Sequence, residues 1–435
     1  MIRLVETDFA PERDALPVIQ SALDSSSVVE IGKISFPLLL GAPILLRSGH
    51  SLRVDPETVI SDLPVCGACL LRNENVLIGA VSPEAEDAPY DADMSVEGGI
   101  WHVRGDGHVT AGADGDKDPS IAALRSRGTL LGVLFFCSAR RFSVRNVTVR
   151  KSASYALLIS RCQDFLAEDL YFEDQHKDGI HINGPTSRGT VRRVRGTCGD
   201  DIVALNAWDW HASAVTYGPI SHITVEDVQA EHDEMRLLPG KKLYDDGSVR
   251  DCPITDCAFR RMSGLYSVKM YQQPYCYNKT RRMNDRSLTG GLLEDILFED
   301  ISVEGTVTEA LAEVTLDAFW EIGADAKNVV WRRVAVAADE ETFRSTGMSL
   351  VTVGPKSSTW KRGETDPEKW EELFEPDLIC HADGLTLEEV TFAGAAARRE
   401  DTVLRVVHLS PNPDYPNTTP MGGTGYGVVR DLSIL

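Results

Sequence analysis

The sequence has no excess of positive charge. Its 435 residues include 44 lysines and arginines against 66 aspartates and glutamates, which gives a formal net charge of −22. A nucleic-acid ligand requires a basic surface, so this charge balance argues against DNA or RNA as a partner. A polyanionic substrate is also unfavourable unless local cations receive it.

Long apolar runs and a signal peptide are missing as well. The longest apolar stretch, residues 36–46, is interrupted by Pro37, Gly41 and Pro43 and is too short to span a bilayer. Residues 1–14 contain acidic side chains and no apolar segment of the signal-peptide kind. We therefore expect a soluble, cytoplasmic protein with no membrane partner. The mature form of a secreted protein would share these features.

The cysteines do not form a disulfide framework. There are nine of them, an odd number, scattered along the chain, as expected for reduced thiols. Cys66 and Cys69 form a single C-x-x-C without a second pair, so buried thiols are favoured over a metal site. We expect no metal and no organic cofactor. The sequence does not indicate an oligomeric state.

A degenerate eight-residue pattern recurs along the chain: apolar, any, apolar, any, Asp or Asn or a substitute, apolar, any, apolar. Its early copies are 23 or 24 residues apart. The clear copies are Phe142–Val149, Phe165–Phe172, Ile223–Ala230, Cys252–Phe259 and Ile296–Val303, centred on Asn146, Asp169, Asp227, Asp256 and Asp300. Looser copies centre on Arg193, Arg333, Glu389 and Asp431.

Such a repeat predicts an all-β solenoid, because one coil cannot bury its apolar face alone and stacked coils can. An antiparallel sandwich would show frequent turn signals and no recurring register. We predict one right-handed, single-stranded parallel β-helix over residues 1–435. Residues 1–30 would cap it, with a short amphipathic helix at 15–23. The predicted loop insertions are 82–91, 208–217, 271–289 and 354–375.

Two short segments carry candidate catalytic residues, Asp178-Gly179 and Gly199-Asp200-Asp201. Either segment alone is an ordinary turn sequence. Their spacing, however, corresponds to one coil of the repeat, so the three aspartates are expected to lie together on neighbouring coils. Asp200 and Asp201 would point to opposite faces of a regular strand, so Gly199 is expected to mark a bend that lets both reach one groove.

Two cations follow the same register. Asp178 and Arg236 each lie nine residues after the polar position of their repeat. Asp200 lies seven residues after that position, and Lys269 lies thirteen residues after it. These offsets predict one longitudinal line of three carboxylates and two cations. Glycoside hydrolysis requires one carboxyl group as an acid and a second, ionised one, and closely spaced like charges favour a proton on one member. The cluster therefore suits the cleavage of a glycosidic bond.

At these residues the sequence resembles the polygalacturonase-like glycoside hydrolases, family 28. The family has N-T-D-G, G-D-D, G-H-G and R-I-K elements on a right-handed parallel β-helix. Lys177-Asp178-Gly179 resembles the first, Gly199-Asp200-Asp201 the second, and Ser267-Val268-Lys269 the fourth. Two departures stand out: Arg236 occupies the coil of the missing G-H-G element, and Ser267 replaces the arginine.

The resemblance implies an inverting hydrolase that acts on an oligosaccharide or polysaccharide. The family's own substrate is pectin, a polysaccharide of cell walls. Asp200 would be the general acid, and Asp178 with Asp201 would hold the attacking water. Acid and base would then be separated by about 6.5 to 9.5 Å. Because Arg236 and Lys269 lie in line with the aspartates, we expect a uronic acid beside the scissile bond. The alternative is that both cations neutralise the aspartates.

The remaining substrate-binding candidates are a histidine and three aromatic residues. His181 would either hydrogen-bond a sugar or lie in the core. Trp208, Trp210 and Tyr271 fall on the predicted insertions, where large aromatics suggest sugar stacking, with packing against the coil as the alternative.

Two other functions suit the same fold. A polysaccharide lyase or uronate epimerase would use Lys269 or Arg236 as the base, commonly with calcium held by aspartates. A non-catalytic solenoid that binds carbohydrate, as in adhesins, would keep sugar binding without turnover.

Overall fold

The computed structural model describes residues 1–63, 69–76, 89–103, 132–152, 154–209, 216–243, 247–271, 291–304, 318–354, 377–406, 408–409 and 424–435. Strands make up 68% of the structure. The helices within these ranges are short: α1 (Leu16–Ser25), α2 (Glu340–Ser345), α3 (Glu400–Val403) and a 3-10 helix at Glu6–Asp8.

The strands are numbered here in chain order. The first fourteen are β1 (Ile2–Leu4), β2 (Val28–Ile31), β3 (Leu38–Leu40), β4 (Ile44–Leu46), β5 (Ser51–Asp62), β6 (Leu71–Asn73), β7 (Asp91–His102), β8 (Gly132–Cys137), β9 (Ala139–Arg150), β10 (Tyr155–Ser160), β11 (Gln163–Gln175), β12 (Ile180–Asn183), β13 (Thr186–Cys198) and β14 (Asp201–Asn206). The others are β15 (Ile220–Leu238), β16 (Gly240–Leu243), β17 (Val249–Cys252), β18 (Ile254–Tyr271), β19 (Leu292–Val303), β20 (Ala318–Gly323), β21 (Asp325–Val336), β22 (Ser349–Val353), β23 (Asp377–Phe392), β24 (Ala395–Ala396), β25 (Leu404–Val406), β26 (His408–Leu409), β27 (Thr424–Arg430) and β28 (Ser433–Ile434).

The described chain forms two compact units. Unit 1 consists mainly of Met1–Ala204 with His222–Asp233, and unit 2 mainly of Glu234–Leu435 with Leu205–Asp209. The prediction of a single domain over residues 1–435 stays a prediction.

In unit 1, strands β7, β9, β11 and β13 pair in parallel, each one coil further along the chain. Phe142 of β9 is level with Met94 of β7 and with Phe165 of β11, and Phe165 is level with Gly189 of β13. The intervals of 23 residues from Phe142 to Phe165 and 24 from Phe165 to Gly189 confirm the predicted repeat. Strands β6, β8, β10 and β12 form a second parallel column.

Unit 2 has the same construction. Strands β18, β19, β21 and β23 pair in parallel, and a second column contains the end of β18 followed by β20, β22 and β25. In both units, therefore, successive coils of one chain stack through parallel backbone pairing.

Aromatic side chains stack inside the coils at the apolar positions of the repeat. In unit 1 the rings of Phe142 and Phe165 are 5.6 Å apart between centroids. In unit 2 the ring of Phe298 lies 5.0 Å from Phe259 and 6.1 Å from Trp331. Parallel in-register pairing places equivalent residues of neighbouring coils one above the other, which explains these ladders.

The polar position of the repeat has a conformational role. All nine of its residues have a left-handed backbone, with φ between 49° and 57°: Asn146, Asp169, Arg193, Asp227, Asp256, Asp300, Arg333, Glu389 and Asp431. A second left-handed residue often lies five positions earlier, as at Arg141, Asp164, Arg188, His222, Asp295 and Asn328. Left-handed backbone costs about 1–2 kcal/mol per residue, and Asn and Asp tolerate it best among residues with a side chain. These positions turn the chain at the corners of a coil.

Ion pairs between neighbouring corners explain the arginines among the looser copies. Arg193 makes two hydrogen bonds to Asp169 of the preceding coil, at 2.7 and 2.8 Å. Arg333 does the same to Asp300, at 2.6 and 3.0 Å. These hydrogen bonds lower the pKa of both aspartates. The substitution of Asp by Arg therefore keeps the corner and adds a contact between coils.

Helix α1 confirms the amphipathic helix predicted at 15–23, and it extends two residues further. It buries Ile19, Ala22 and Leu23 and packs against β2 and β4 of unit 1. No described helix is long and apolar enough to cross a membrane.

The described cysteines are all buried thiols, in agreement with the prediction of reduced cysteines. Burial raises the pKa of Cys252 to about 12, so this thiol stays neutral at physiological pH. Cys69 of the C-x-x-C is among the buried thiols, whereas Cys66 lies outside the described residues.

The left-handed corners predict a position-specific response to β-branched residues. Asp256 is exposed and left-handed, with φ 54°, and the preceding Thr255 lies in the same strand. Asp256→Val should lower the free energy of unfolding by about 1–2 kcal/mol more than Thr255→Val, and Asp256→Gly should avoid most of this loss. Denaturant unfolding of the three variants measures it. Equal losses for the two valine variants would contradict the conformational role.

Candidate active site

The backbone around Asp178 lies between two neighbouring coils of unit 1. Asp178 follows β11 and precedes β12, and its carbonyl oxygen accepts from the backbone N–H of Ala156 at 3.0 Å. The N–H of Gly179 donates to the carbonyl of Asp201 at 2.8 Å. A Cβ at Gly179 would lie 2.4 Å from the Phe172 ring, so only glycine fits. Asp178 is thereby held one coil away from Asp201.

The second aspartate segment bends between β13 and β14. The N–H of Gly199 donates to the carbonyl of Gln175 at 2.6 Å, and a Cβ at Gly199 would lie 2.6 Å from the His176 carbonyl. Asp200 sits in this bend, and Asp201 is the first residue of β14. The predicted bend at Gly199 is confirmed, and it lets both carboxylates reach the same place.

The three aspartates meet in one cluster. One carboxylate oxygen from each of Asp178, Asp200 and Asp201 lies within 4.8 Å of the others. Asp178 is 3% exposed and Asp201 is 0% exposed, whereas the side chain of Asp200 is 20% exposed. Asp200 is therefore the member that a substrate can reach most readily.

Side chains with N–H groups, Lys177 and His181 among them, accompany the cluster. Lys177 Nζ lies 3.3 Å from Asp200 Oδ2, and His181 Nδ1 forms a short hydrogen bond with Asp178 Oδ2. The nearby Cys198 thiol carries no charge, because burial raises its pKa well above the usual value and aspartates including Asp178 add to the effect. Lys177 brings a positive charge beside Asp200, and a proton retained on one carboxylate lowers the repulsion among the three.

The spacing of the oxygens suits a bound water molecule. A water that hydrogen-bonds to two carboxylate oxygens at about 2.8 Å each, with a near-tetrahedral angle, holds them about 4.6 Å apart. The separation of about 6.5 to 9.5 Å between the acid and base carboxyl groups stays a prediction. The nearest oxygens of Asp178, Asp200 and Asp201 lie within 4.8 Å of one another. The reason is that Asp200 and Asp201 are adjacent and Asp178 is one strand spacing, about 4.8 Å, away.

His181 is in the core of unit 1. It is 1% exposed, its ring stacks on Tyr155 with 4.0 Å between centroids, and its Nε2 lies 3.2 Å from Asn183 Nδ2. Of the two alternatives left open by the sequence, the buried histidine is the one observed.

Arg236 and Lys269 belong to a polar cluster of unit 2. Both contact the buried carboxylate of Glu234, which also accepts a hydrogen bond from Tyr266 Oη at 3.2 Å. Glu321 stands level with Lys269 on the neighbouring strand β20. These contacts show Glu234 as a partner of both cations, where the sequence suggested the aspartates. The predicted alignment with the aspartates of unit 1 stays a prediction.

The aromatic candidates have different outcomes. Trp208 and Tyr271 are buried, which favours the packing alternative for both. Tyr271 is the last residue of β18, where it pairs with Gly323 in the parallel sheet, so the prediction that it lies on an insertion is wrong. Trp210 lies outside the described residues, as do most residues of the four predicted insertions. Sugar stacking by these side chains stays a prediction.

Sequence reasoning missed two charged residues of these clusters. Lys177 immediately precedes Asp178 and lies 23 positions, one coil, before Asp200, so the repeat register could have placed it beside that carboxylate. Glu234 precedes Arg236 by two positions in one strand and therefore shares its face, a signal that the period of a strand provides.

Comparison with known proteins identifies the fold. The chain matches no protein-family model and no curated protein. Among solved structures it is similar to the polygalacturonase from Erwinia carotovora ssp. carotovora, with 13% identity, 93% of this chain and 96% of that chain covered, and a TM-score of 0.52. The chain is a right-handed parallel β-helix.

A second structure of this fold is the family 28 exopolygalacturonase of Yersinia enterocolitica, with 12% identity, 99% and 78% coverage and a TM-score of 0.50. The pneumococcal surface adhesin PfbA matches with 10% identity, 91% and 93% coverage and a TM-score of 0.44. At these identities the shared β-helix is established and membership of family 28 stays a prediction.

Proposed function

We propose that this β-helix is a glycoside hydrolase. The observation that supports it best is the convergence of Asp178, Asp200 and Asp201, which brings oxygens of three carboxylates on two neighbouring coils within 4.8 Å. Hydrolysis of a glycosidic bond needs one carboxyl group to protonate the leaving oxygen and another to activate water. The cluster supplies both, and the polygalacturonase-like spacing of its sequence segments agrees with it.

The exposures of the three side chains divide the roles. Asp200 is the general acid, because its side chain is 20% exposed and can reach a leaving oxygen. Asp178 and Asp201 are buried, and together they hold the attacking water. Lys177 favours the ionised form of Asp200, and repulsion from the other two carboxylates favours its proton.

Asp200→Asn should abolish most turnover while leaving the fold intact, since general acid catalysis commonly contributes about 10² to 10⁴ in rate. Asp174→Asn is the matched control, because Asp174 is exposed and left-handed and asparagine suits that backbone. kcat on a glycan identified by screening oligosaccharides, with uronides and neutral glycosides side by side, measures the effect. A folded Asp200→Asn protein with near-normal kcat would remove the assignment.

Water held by Asp178 and Asp201 attacks the anomeric carbon from the face opposite the leaving group, so the first sugar formed should have the inverted configuration. Proton NMR during early turnover reads this configuration directly. A separation of about 5 to 5.5 Å between carboxyl groups is typical of retaining enzymes. Because the oxygens of the three aspartates approach closely, retention is the outcome that this measurement has to exclude. A retained product would make one aspartate a nucleophile.

We further propose, from the sequence register, that a uronic acid lies beside the scissile bond and that Lys269 receives its carboxylate. Glu234 has donors in Arg236 and Tyr266 besides Lys269, so it keeps partners if Lys269 turns to a substrate. Lysine suits this exchange because its ammonium group is a mobile point charge.

Lys269→Met should then weaken kcat/KM for a uronide substrate by about 1.5–3 kcal/mol, the value of a hydrogen bond to a charged group, and far less for a neutral analogue. Steady-state kinetics on the two substrates compares the losses. Equal losses would show that Lys269 serves to stabilise Glu234 and would remove the uronic acid from the proposal.

A polysaccharide lyase or uronate epimerase is the second candidate, because oxygens of three carboxylates within 4.8 Å also suit a calcium ion. A lyase forms an unsaturated product that absorbs in the ultraviolet. That product, or activity lost with a chelator and restored by calcium, would favour this candidate over the hydrolase.

A further inference from the structure

A line of polar contacts runs from Asp178 into the core of unit 1. His181 and Asn183 are two positions apart in β12, so their side chains share one face of the strand. His181 Nδ1 contacts Asp178 Oδ2, and its Nε2 lies 3.2 Å from the amide nitrogen of Asn183. All three residues are buried.

These contacts specify one tautomer of His181. A neutral imidazole has one N–H donor and one acceptor nitrogen. The Asn183 amide donates to Nε2, which must therefore be the acceptor. The proton of the neutral ring then lies on Nδ1 and points at the Asp178 carboxylate.

The ring has little freedom to leave this position. It stacks on Tyr155 with an angle of 18° between the ring planes, and its strand pairs in register with β10, where Leu158 is level with His181. At 1% exposure the imidazole is not accessible to a sugar. It contacts the aspartate cluster at Asp178 Oδ2.

We propose that His181 is a positioning residue, which as the neutral Nδ1–H tautomer orients the Asp178 carboxylate and stabilises its ionised form. Asn183 fixes the tautomer, and Tyr155 fixes the plane of the ring. The kinetic consequence rests on the proposed hydrolase, in which Asp178 helps to hold the attacking water. A carboxylate held in one orientation presents its other oxygen to that water in the same way in every turnover.

Two substitutions separate the hydrogen bond from the packing. His181→Phe keeps a ring against Tyr155 and removes the donor, so kcat should fall about 10- to 100-fold with little change in KM, as expected for a lost hydrogen bond to a charged group. His181→Asn places an amide N–H close to the former Nδ1 and should restore much of this loss. His222→Asn is the control, because His222 is exposed with a left-handed backbone that asparagine accepts.

An independent measurement does not need a substrate. In NMR spectra of protein labelled with ¹⁵N-histidine, the imidazole signals that disappear in His181→Phe are those of His181. In the wild-type protein these signals should show the Nδ1–H tautomer. Asn183→Leu should weaken the preference for that tautomer. An Nε2–H or doubly protonated ring would overturn the proposal, as would equal kcat values for the Phe and Asn variants. An Nδ1–H ring in a protein that hydrolyses no glycan would leave His181 assigned and remove only the hydrolase.

Discussion

Parallel backbone hydrogen bonding between successive coils is the constraint on which the aspartate cluster depends. The N–H of Gly179 donates to the carbonyl of Asp201, and the N–H of Gly199 donates to the carbonyl of Gln175. Both glycines make such close approaches that a Cβ would overlap the neighbouring coil. Asp178 and Asp201 are therefore separated by one strand spacing, which brings their carboxylates together without a dedicated loop.

The same stacking also governs the charges of the surface. In-register coils place corner residues one above another, and some of these neighbours form ion pairs. Arg141 pairs with Asp93, and Arg188 pairs with Asp164. Arg188 lowers the pKa of Asp164 through its hydrogen bond, so this pair is stabilising at neutral pH and loses that contribution as the pH falls through the lowered pKa. Each exposed pair contributes only about 0–1 kcal/mol. Their regularity favours correct register more than overall stability.

The partners of the buried carboxylates differ between the two units. In unit 1, three carboxylates converge, and Lys177 and His181 contact two of them. In unit 2, Glu234 meets two cations and a tyrosine. Carboxylates held close together are typical of acid–base sites, because their repulsion favours a retained proton, whereas an ion-paired carboxylate is typical of structural or recognition sites. This contrast supports the choice of the aspartates as the reacting groups.

The sequence alone determined the coil. Alternating apolar residues and a recurring interval of 23 or 24 positions predict stacked parallel strands. The register of that repeat placed Asp178, Asp200 and Asp201 together. In-register coils allow this, because an offset within the repeat determines the position of a residue along its coil and the face to which its side chain points. The tertiary structure decided what lies across from each side chain. The left-handed corners interrupt the alternation of a strand, so the face of His181 could not be predicted from its position. Lys269 pairs with the carboxylate of Glu234, which lies 35 positions earlier in the chain. Contacts between coils depend on side-chain direction and on neighbours far apart in the chain, which a one-dimensional repeat does not contain.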